Sequence, residues 1–216
     1  APIGQHVPLW GSDSAIECPA GSWQNQTGQS SCIEAIPGQY VDVNGSSSQT
    51  PCAAGTWQNQ TGQTGCMNAS VGHYVDTNGS SSQTPCATGT WNNITGQSSC
   101  TPASPGHYVD TNGSTSQIPC GLGTWNNITG QASCTNASAG HYVETNGSTF
   151  ETPCDAGTYN PSNGSNSSAD CGDVPAGSFS EPGASAPTPC SIGTWQDQVG
   201  QSSCMNASVG LSLIHI

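Results

Sequence analysis

The sequence predicts a small, disulfide-rich, all-β fold, arranged as an elongated linear array of short β-hairpins. Leu, Ile, Val and Phe together make up only about 12% of the 216 residues, too few for a large apolar core. Twelve cysteines offer cross-links in place of that core. The cysteines recur at a fixed period, and no segment shows the apolar spacing of a helix. This composition is typical of a secreted protein from an oxidising compartment.

The cysteine spacing defines the repeat. Gaps of 14 and 20 residues alternate along most of the chain and give a 34-residue unit. The fifth unit has a three-residue insertion near Asn163–Ser168, and the sixth is one residue shorter. Repetition of this kind predicts a linear array in which each unit packs on its neighbours. The predicted units are residues 1–34, 35–68, 69–102, 103–136, 137–173 and 174–206, with a truncated seventh unit at 207–216.

Each unit is itself a duplicated half-repeat of 17 residues. Gly38 matches Gly55, and Tyr40 matches Trp57. An extended run, an Asn-Gly or Thr-Gly turn and a second extended run predict one β-hairpin in each half-repeat. Because an isolated hairpin is marginally stable in water, each is expected to pack on its neighbours.

The two halves of a unit differ in their cysteines. The Cys half at 52–68 contains Cys52 and Cys66, and the Ala half at 35–51 has Ala35 and Gln49 at these positions. Two cysteines that are missing together behave as a bonded pair, which favours local pairing, although spacing alone does not prove connectivity. The predicted disulfides are Cys18–Cys32, Cys52–Cys66, Cys86–Cys100, Cys120–Cys134, Cys154–Cys171 and Cys190–Cys204.

One aromatic side chain recurs at the same position of the half-repeats, and His6 occupies that position in the first. An aromatic ring buries more area than any other side chain, so this ladder predicts a thin core. A platform on which sugars stack is the functional alternative. The ladder consists of Trp23, Tyr40, Trp57, Tyr74, Trp91, Tyr108, Trp125, Tyr142, Tyr159, Phe179 and Trp195.

Two motifs resemble a known kind of module. Cys52-x-x-Gly-Thr-Trp57, followed by Gly62 and Cys66, and Cys154-Asp-Ala-Gly-Thr-Tyr159 resemble the Cys-Pro-x-Gly-Thr-Tyr modules of ephrin-receptor-like and tumour-necrosis-factor-receptor-like cysteine-rich repeats. The chain is also similar to long tandem repeats of microbial surface proteins. The resemblance implies an extracellular, elongated, disulfide-bonded array without catalytic residues. The chain departs from the receptor pattern because every other half lacks cysteines and no basic residue is present.

Charge, hydropathy and the lack of catalytic motifs argue against three classes of function. The chain has 13 acidic residues, no Lys or Arg, and a net charge of −13, so it cannot neutralise the phosphates of a nucleic acid. No apolar run reaches the ~20 residues of a membrane span. Signatures of nucleophilic, phosphate-binding or zinc-dependent catalysis are missing from the sequence, which predicts a protein that is not an enzyme and has no cofactor.

Sequons of the form Asn-x-Ser/Thr keep register with the repeat and predict covalent N-glycans. At Asn44 and its equivalents, the turn-forming ability of Asn-Gly is a competing explanation, whereas Asn59 and Asn93 precede the turn. O-glycans on the Ser/Thr-rich stretches are a further expectation. The sequons lie at Asn25, Asn44, Asn59, Asn68, Asn78, Asn93, Asn112, Asn127, Asn136, Asn146, Asn163, Asn166 and Asn206.

Two other polar positions recur. Acidic residues lie two positions before a turn asparagine, where turn capping is the preferred explanation and calcium binding the weaker one, because other calcium ligands are missing. One histidine per unit, without a second histidine or free cysteine nearby, predicts an exposed or stacking imidazole more than a metal ligand. The acids are Asp42, Asp76, Asp110 and Glu144, and the histidines are His73, His107 and His141.

These features predict a structural glycoprotein, the repeat rod of an extracellular fibril, stalk or surface appendage that self-associates into fibrils. An adhesion or receptor-like extracellular binding module is the alternative, with the insertion and Phe150-Glu151 as its irregular stretches. The chain opens at Ala1, as expected for a mature secreted protein. The apolar end Leu211–Ile216 departs from the repeat and is interpreted as an assembly artefact, or else as a tail that docks on a neighbouring chain.

Overall fold

A computed structural model describes residues 1–8, 11 and 14–208. The predicted tail at Leu211–Ile216 lies outside the described residues. The predicted all-β, disulfide-rich series of hairpins is confirmed, with 12 antiparallel pairs of two-residue strands. Within the described ranges, one 3-10 turn at Ser168–Asp170 is the only helical element.

The strands follow one another as consecutive hairpin partners, β1 with β2, β3 with β4 and so on to β24. Their bounds are β1 Gln5–His6, β2 Ile16–Glu17, β3 Ser22–Trp23, β4 Ile33–Glu34, β5 Gln39–Tyr40, β6 Thr50–Pro51, β7 Thr56–Trp57, β8 Met67–Asn68, β9 His73–Tyr74, β10 Thr84–Pro85, β11 Thr90–Trp91, β12 Thr101–Pro102, β13 His107–Tyr108, β14 Ile118–Pro119, β15 Thr124–Trp125, β16 Thr135–Asn136, β17 His141–Tyr142, β18 Thr152–Pro153, β19 Thr158–Tyr159, β20 Gly172–Asp173, β21 Ser178–Phe179, β22 Thr188–Pro189, β23 Thr194–Trp195 and β24 Met205–Asn206.

Each hairpin has a short ladder and a long loop. In the Ala half at 35–51, Tyr40 of β5 pairs with Thr50 of β6, and residues 41–49 form the loop. The predicted Asn-Gly turn lies inside this loop, where Gly45 has a φ of 70°, and does not join the strands directly. The ladder stops early because Val41 turns to the adjacent hairpins: its N–H donates to Gln63 O at 3.0 Å, and its carbonyl accepts from Gly21 N at 2.8 Å.

By its internal contacts the chain divides into two compact units, Ala1–Pro102 with Thr111–Ser116, and Ala103–Asp110 with Gln117 onward. Within the first unit, main-chain hydrogen bonds join consecutive hairpins. Gly38 N donates to Gln58 O at 2.7 Å, and Cys52 N donates to Gly38 O at 2.9 Å.

The second unit uses the same bonds. Gly140 N donates to Asn160 O at 2.7 Å, and Cys154 N donates to Gly140 O at 2.8 Å. Backbone pairing therefore satisfies groups that a two-residue ladder leaves free, and each hairpin is held by its neighbours in sequence.

Small side chains, and not the aromatic ladder, form the fully buried core. All eleven residues of the predicted aromatic ladder are half-buried, so they lie beside the fully buried positions and do not occupy them. The half-buried residues are Trp23, Tyr40, Trp57, Tyr74, Trp91, Tyr108, Trp125, Tyr142, Tyr159, Phe179 and Trp195. The buried apolar residues are Cys18, Ala35, Val41, Cys52, Ala69, Val75, Cys86, Ala103, Val109, Cys120, Ala137, Val143, Cys154 and Val174.

Close approach of the backbones explains this arrangement. A Cβ atom placed on Gly55 would lie 2.2 Å from Gly96 O, in the second hairpin further along the chain. Aromatic rings do not fit between backbones at this distance, so smaller side chains take the fully buried positions. The indole N–H groups of Trp23, Trp57, Trp91 and Trp125 are buried without a hydrogen-bond acceptor among the described residues.

Candidate functional site

The candidate site is the outer surface of the hairpins, which recurs along the chain. Disulfides hold the hairpins of the Cys halves together. The structure contains the six pairs that the cysteine spacing predicts, Cys18–Cys32, Cys52–Cys66, Cys86–Cys100, Cys120–Cys134, Cys154–Cys171 and Cys190–Cys204. Their Cα atoms are 5.7–5.8 Å apart. Closing a loop of this length stabilises a fold by about 3 kcal/mol in the chain-entropy model, which supports hairpins that have little core.

The Ala halves use a hydrogen bond where the Cys halves use a disulfide. Gln49 lies at the position of the second cysteine, and its Oε1 accepts from Ile36 N at 3.0 Å. Gln83 repeats this bond to Ser70 N at 2.7 Å. Where Ala and Gln replace the two cysteines, a side-chain hydrogen bond therefore replaces the disulfide. The cysteine spacing alone did not predict this bond.

The same bond recurs in the second unit. Gln117 Oε1 accepts from Ser104 N at 2.7 Å. Glu151 takes the glutamine's place in the irregular stretch, and its Oε2 accepts from Ser138 N at 2.6 Å. Glu151 is therefore a structural cap, whereas the preceding Phe150 is 68% exposed.

Buried amide side chains follow the aromatic residues of the Cys halves, and sequence reasoning missed them. Gln58 is 4% exposed; its Nε2 donates to Gly65 O at 3.0 Å and its Oε1 accepts from Gln60 N at 3.2 Å. Such satisfied amides order a loop without apolar burial. The recurrence of an amide side chain at the 34-residue period was the sequence signal that could have revealed them. The buried amides are Gln24, Gln58, Asn92, Asn126, Asn160 and Gln196.

The buried asparagines of this set also bond to a neighbouring hairpin. Asn92 Nδ2 donates to His73 O at 3.1 Å, and Asn126 Nδ2 donates to His107 O at 3.0 Å, each in the preceding hairpin. Their Oδ1 atoms accept from Ile94 N and Ile128 N within the same loop. Both ends of each amide are therefore used.

The turn asparagines tie each loop to the preceding hairpin. Asn44 Oδ1 accepts from Ala20 N at 2.8 Å, and Asn78 Oδ1 accepts from Ala54 N at 2.8 Å. Equivalent bonds link Thr88 N to Asn112 and Ala139 N to Asn163. The Nδ2 atoms, to which N-glycans attach, make no hydrogen bond to any described residue in these four cases. The turn explanation and the glycan explanation are therefore compatible.

Asparagines inside sequons and asparagines outside them differ in exposure. All thirteen asparagines that lie in sequons are exposed. The chain has three other asparagines, Asn92, Asn126 and Asn160, and all of these are buried at 2–5% exposure. Asn92 and Asn126 each directly precede an exposed sequon asparagine, Asn93 and Asn127. The sequons therefore coincide with the positions that an attached sugar can occupy.

The other recurring polar residues lie apart from one another. Asp42, Asp76, Asp110 and Glu144 are exposed. The asparagine oxygen that calcium binding would need is already bonded to a backbone N–H at Asn44, Asn78 and Asn112. In the described part of the chain, one group of three His, Cys, Asp or Glu side chains comes together, and it consists of His6, Cys18 and Cys32.

The recurring histidines are half-buried. The His73 ring lies with Nδ1 3.2 Å from Val71 O, and His107 and His141 repeat this contact at 3.3 and 3.4 Å with the residue two positions earlier. His141 also lies under a turn, because a Cβ on Gly183 would be 3.3 Å from its Cε1. The His141 imidazole therefore packs against a glycine turn.

The insertion is an ordered loop. Asp170 Oδ2 accepts from Asn166 N at 3.1 Å and Ser167 N at 3.2 Å, and Ser167 Oγ accepts from Ala169 N at 3.1 Å. These bonds form a capping box for the 3-10 turn. The insertion carries Asn163 and Asn166, both exposed.

A family model described as "Tyrosine-protein kinase ephrin type A/B receptor-like" matches residues 11–52. The resemblance to an ephrin-receptor-like cysteine-rich module is thus confirmed for about a fifth of the chain. No match was found among curated protein sequences. The described residues contain no helix long and apolar enough to cross a membrane. The chain therefore contains an extracellular-type, disulfide-rich module repeated in tandem.

Proposed function

We propose that the protein is a structural glycoprotein, a repeat segment of an extracellular fibril, stalk or surface appendage, without catalytic activity. The division of the asparagines carries this proposal: every sequon asparagine is exposed, and every other asparagine is buried. In the Asn-Gly-Ser sequons the serine also caps the turn, since Ser46 Oγ donates to Val43 O at 2.9 Å and its equivalents do the same. The threonines of the Asn-Gln-Thr and Asn-Ile-Thr sequons make no side-chain hydrogen bond to any described residue, so turn chemistry gives no reason for them.

Repetition supports a structural role over a single binding site. Successive units reuse the same turns, buried amide, disulfide and side-chain hydrogen bond, so their outer surfaces repeat with the 34-residue period. Repeated surfaces allow open-ended association of copies. A segment with no Lys or Arg offers no cleavage site to trypsin-like proteases, which suits durable extracellular material.

An adhesion or receptor-like binding module is the second candidate. The match of residues 11–52 to an ephrin-receptor-like module favours it. The repeat is interrupted at Phe150, which is 68% exposed, and at the ordered insertion with its 3-10 turn at Ser168–Asp170. A binder would use these places, because ligand selection needs a surface that differs from its copies.

Secretion from a eukaryotic cell line tests the proposal. We expect an intact mass well above the 21.8 kDa of the peptide, which enzymatic removal of N-glycans returns to the peptide mass, and fibrils or regular bundles in electron micrographs. Thr61→Ala removes the sequon of Asn59 while keeping the asparagine, and should lower the mass by one glycan. Its matched control, Thr64→Ala, lies outside any sequon and should leave the mass unchanged. Unglycosylated, monomeric particles would contradict the proposal and favour the binding module.

A further inference from the structure

The first disulfide differs from the other five in one contact. His6 Nδ1 lies 3.1 Å from Cys32 Sγ, and the imidazole and both sulfurs of Cys18–Cys32 lie within 4.8 Å of one another. Among the described residues, no other disulfide sulfur has a side-chain hydrogen-bond partner. The position of His6 in the hairpin is filled by an aromatic ring before each of the other disulfides, by Tyr40, Tyr74, Tyr108, Tyr142 and Phe179.

Exposure does not set this disulfide apart. Cys32 is half-buried, as is the second cysteine of every other pair, and Cys18 is fully buried, as are four of the other five first cysteines. Pairing and loop length also match, because Cys18 and Cys32 are 14 residues apart like four of the other pairs. The imidazole is therefore the chemical difference between this bond and its internal copies.

We propose that Cys18–Cys32 is a thiol–disulfide exchange site, assisted by His6, that takes a low-molecular-weight thiol as its co-reactant. Exchange rates depend on access to the attacked sulfur and on how well the leaving sulfur bears negative charge. Cys32 is the more exposed cysteine of the pair, so its sulfur is the one attacked. An imidazole N–H beside the two sulfurs stabilises the charge that develops on the leaving sulfur, as a neighbouring histidine does for reactive cysteines. Among the described residues, the Tyr and Phe rings at this position make no hydrogen bond to a disulfide sulfur.

The step balances without an added oxidant. The external thiolate attacks Cys32 Sγ and forms a new S–S bond, while the Cys18–Cys32 bond breaks and its electron pair leaves on Cys18 Sγ. The His6 ring, which contacts Cys32 Sγ in the oxidised protein and lies within 4.8 Å of Cys18 Sγ, donates its N–H proton to the Cys18 thiolate once the S–S bond breaks and regains a proton from water. The products are a mixed disulfide at Cys32 and a free Cys18 thiol, so one disulfide replaces another. This activity is independent of the structural role proposed above.

Exposure of the folded, fully oxidised protein to reduced glutathione tests the proposal. Samples are quenched at intervals with an alkylating reagent and digested with pepsin, because the chain has no trypsin sites. We expect the glutathione adduct at Cys32 and alkylation at Cys18 to appear about tenfold faster than reaction at the other pairs, which is the effect of one hydrogen bond to a charged leaving sulfur. His6→Tyr should remove this lead, and Tyr40→His should speed exchange at Cys52–Cys66.

The same experiment separates assistance by His6 from looseness near a chain end. Cys190–Cys204, the last pair along the chain, should react as slowly as the inner pairs. Circular dichroism of both variants checks that the hairpins stay folded, and Tyr40→His provides a gain-of-function arm if His6→Tyr fails to fold. Equal rates at all six pairs, a lead that survives His6→Tyr, or no acceleration in Tyr40→His would overturn the proposal.

Discussion

Replacing Gly55 with alanine tests the backbone contact that sets the hairpin spacing. Gly55 has a φ of 85°, which costs an L-residue about 1–2 kcal/mol. Its new Cβ would also lie 2.2 Å from Gly96 O, a backbone atom that moves only with its loop. Relief of this clash strains two hydrogen bonds, Gly55 N to Val75 O at 2.7 Å and Gly96 N to Ala69 O at 2.8 Å, each worth about 1 kcal/mol. Gly55→Ala should therefore destabilise the local structure by about 3–4 kcal/mol.

Two other glycines separate these contributions. Gly193 has the same φ of 85° but no atom of the described residues within 4 Å of its Cβ position, and Gly65 has an equally open position without a positive φ. Gly193→Ala should cost only the ~1–2 kcal/mol of the backbone conformation, and Gly65→Ala should change stability by less than about 1 kcal/mol. The contact itself is then the difference between Gly55→Ala and Gly193→Ala.

Native-state hydrogen exchange with the disulfides intact measures these local free energies. Each 1.4 kcal/mol corresponds to a tenfold change in the opening equilibrium, so amides of residues 52–68 should exchange roughly 100- to 1000-fold faster in Gly55→Ala. If Gly55→Ala and Gly193→Ala lose the same protection in their own hairpins, the close backbone contact contributes nothing, and our explanation of the small-residue core is wrong.

Three further predictions concern the staples. Gln58→Leu leaves Gly65 O and Gln60 N without their partner and should lower the local free energy of unfolding by about 2 kcal/mol. The control, Asn59→Ala, changes an exposed residue and should alter this free energy by less than ~0.5 kcal/mol. Hydrogen exchange measures both. Gln83→Ala removes the bond to Ser70 N and should cost about 1 kcal/mol, and Gln83→Glu should retain most of it because Glu151 accepts the same bond. Removal of Cys86–Cys100 by paired Cys→Ala changes should cost about 3 kcal/mol, measured as loss of protection in residues 86–102; a loss spread equally over all hairpins would contradict local stapling.

The repeat, the hairpins and the disulfide pairs were predictable because each follows from positions close in sequence. A 14-residue spacing brings two cysteines to the ends of one hairpin, and the glycine of a Thr-Gly or Asn-Gly pair supplies the positive φ within most hairpin loops. The burial of the aromatic residues was not predictable in this way. It depends on the contact between Gly55 and Gly96, which are two hairpins apart, and hydrophobic patterning carries no signal of backbone distance.

The buried amides were missed for a related reason. Gln and Asn are mostly exposed residues. In a chain rich in Gln and Asn, Gln58 and Asn92 therefore look like ordinary polar loop residues. Their burial follows from the carbonyl and N–H groups that a nine-residue loop must pair internally. In the Ala halves, Val41 fills the equivalent position, and its backbone groups bond to the adjacent hairpins as those of Gln58 do. The difference lies in the side chain, because the Gln58 amide bonds within its own loop and Val41 is apolar. The alternation of Val with Gln or Asn at this position was visible in the repeat.

One peptide map of the secreted, unreduced protein tests the central claim, that locally cross-linked hairpins present sequon asparagines outward. Pepsin digestion combined with enzymatic deglycosylation in heavy-oxygen water reports both the disulfides and the asparagines that carried sugar. We predict six disulfides, each within one half-repeat, and heavy-oxygen labels at sequon asparagines but at none of Asn92, Asn126 and Asn160. A disulfide between half-repeats, or unlabelled sequons throughout, would contradict the account.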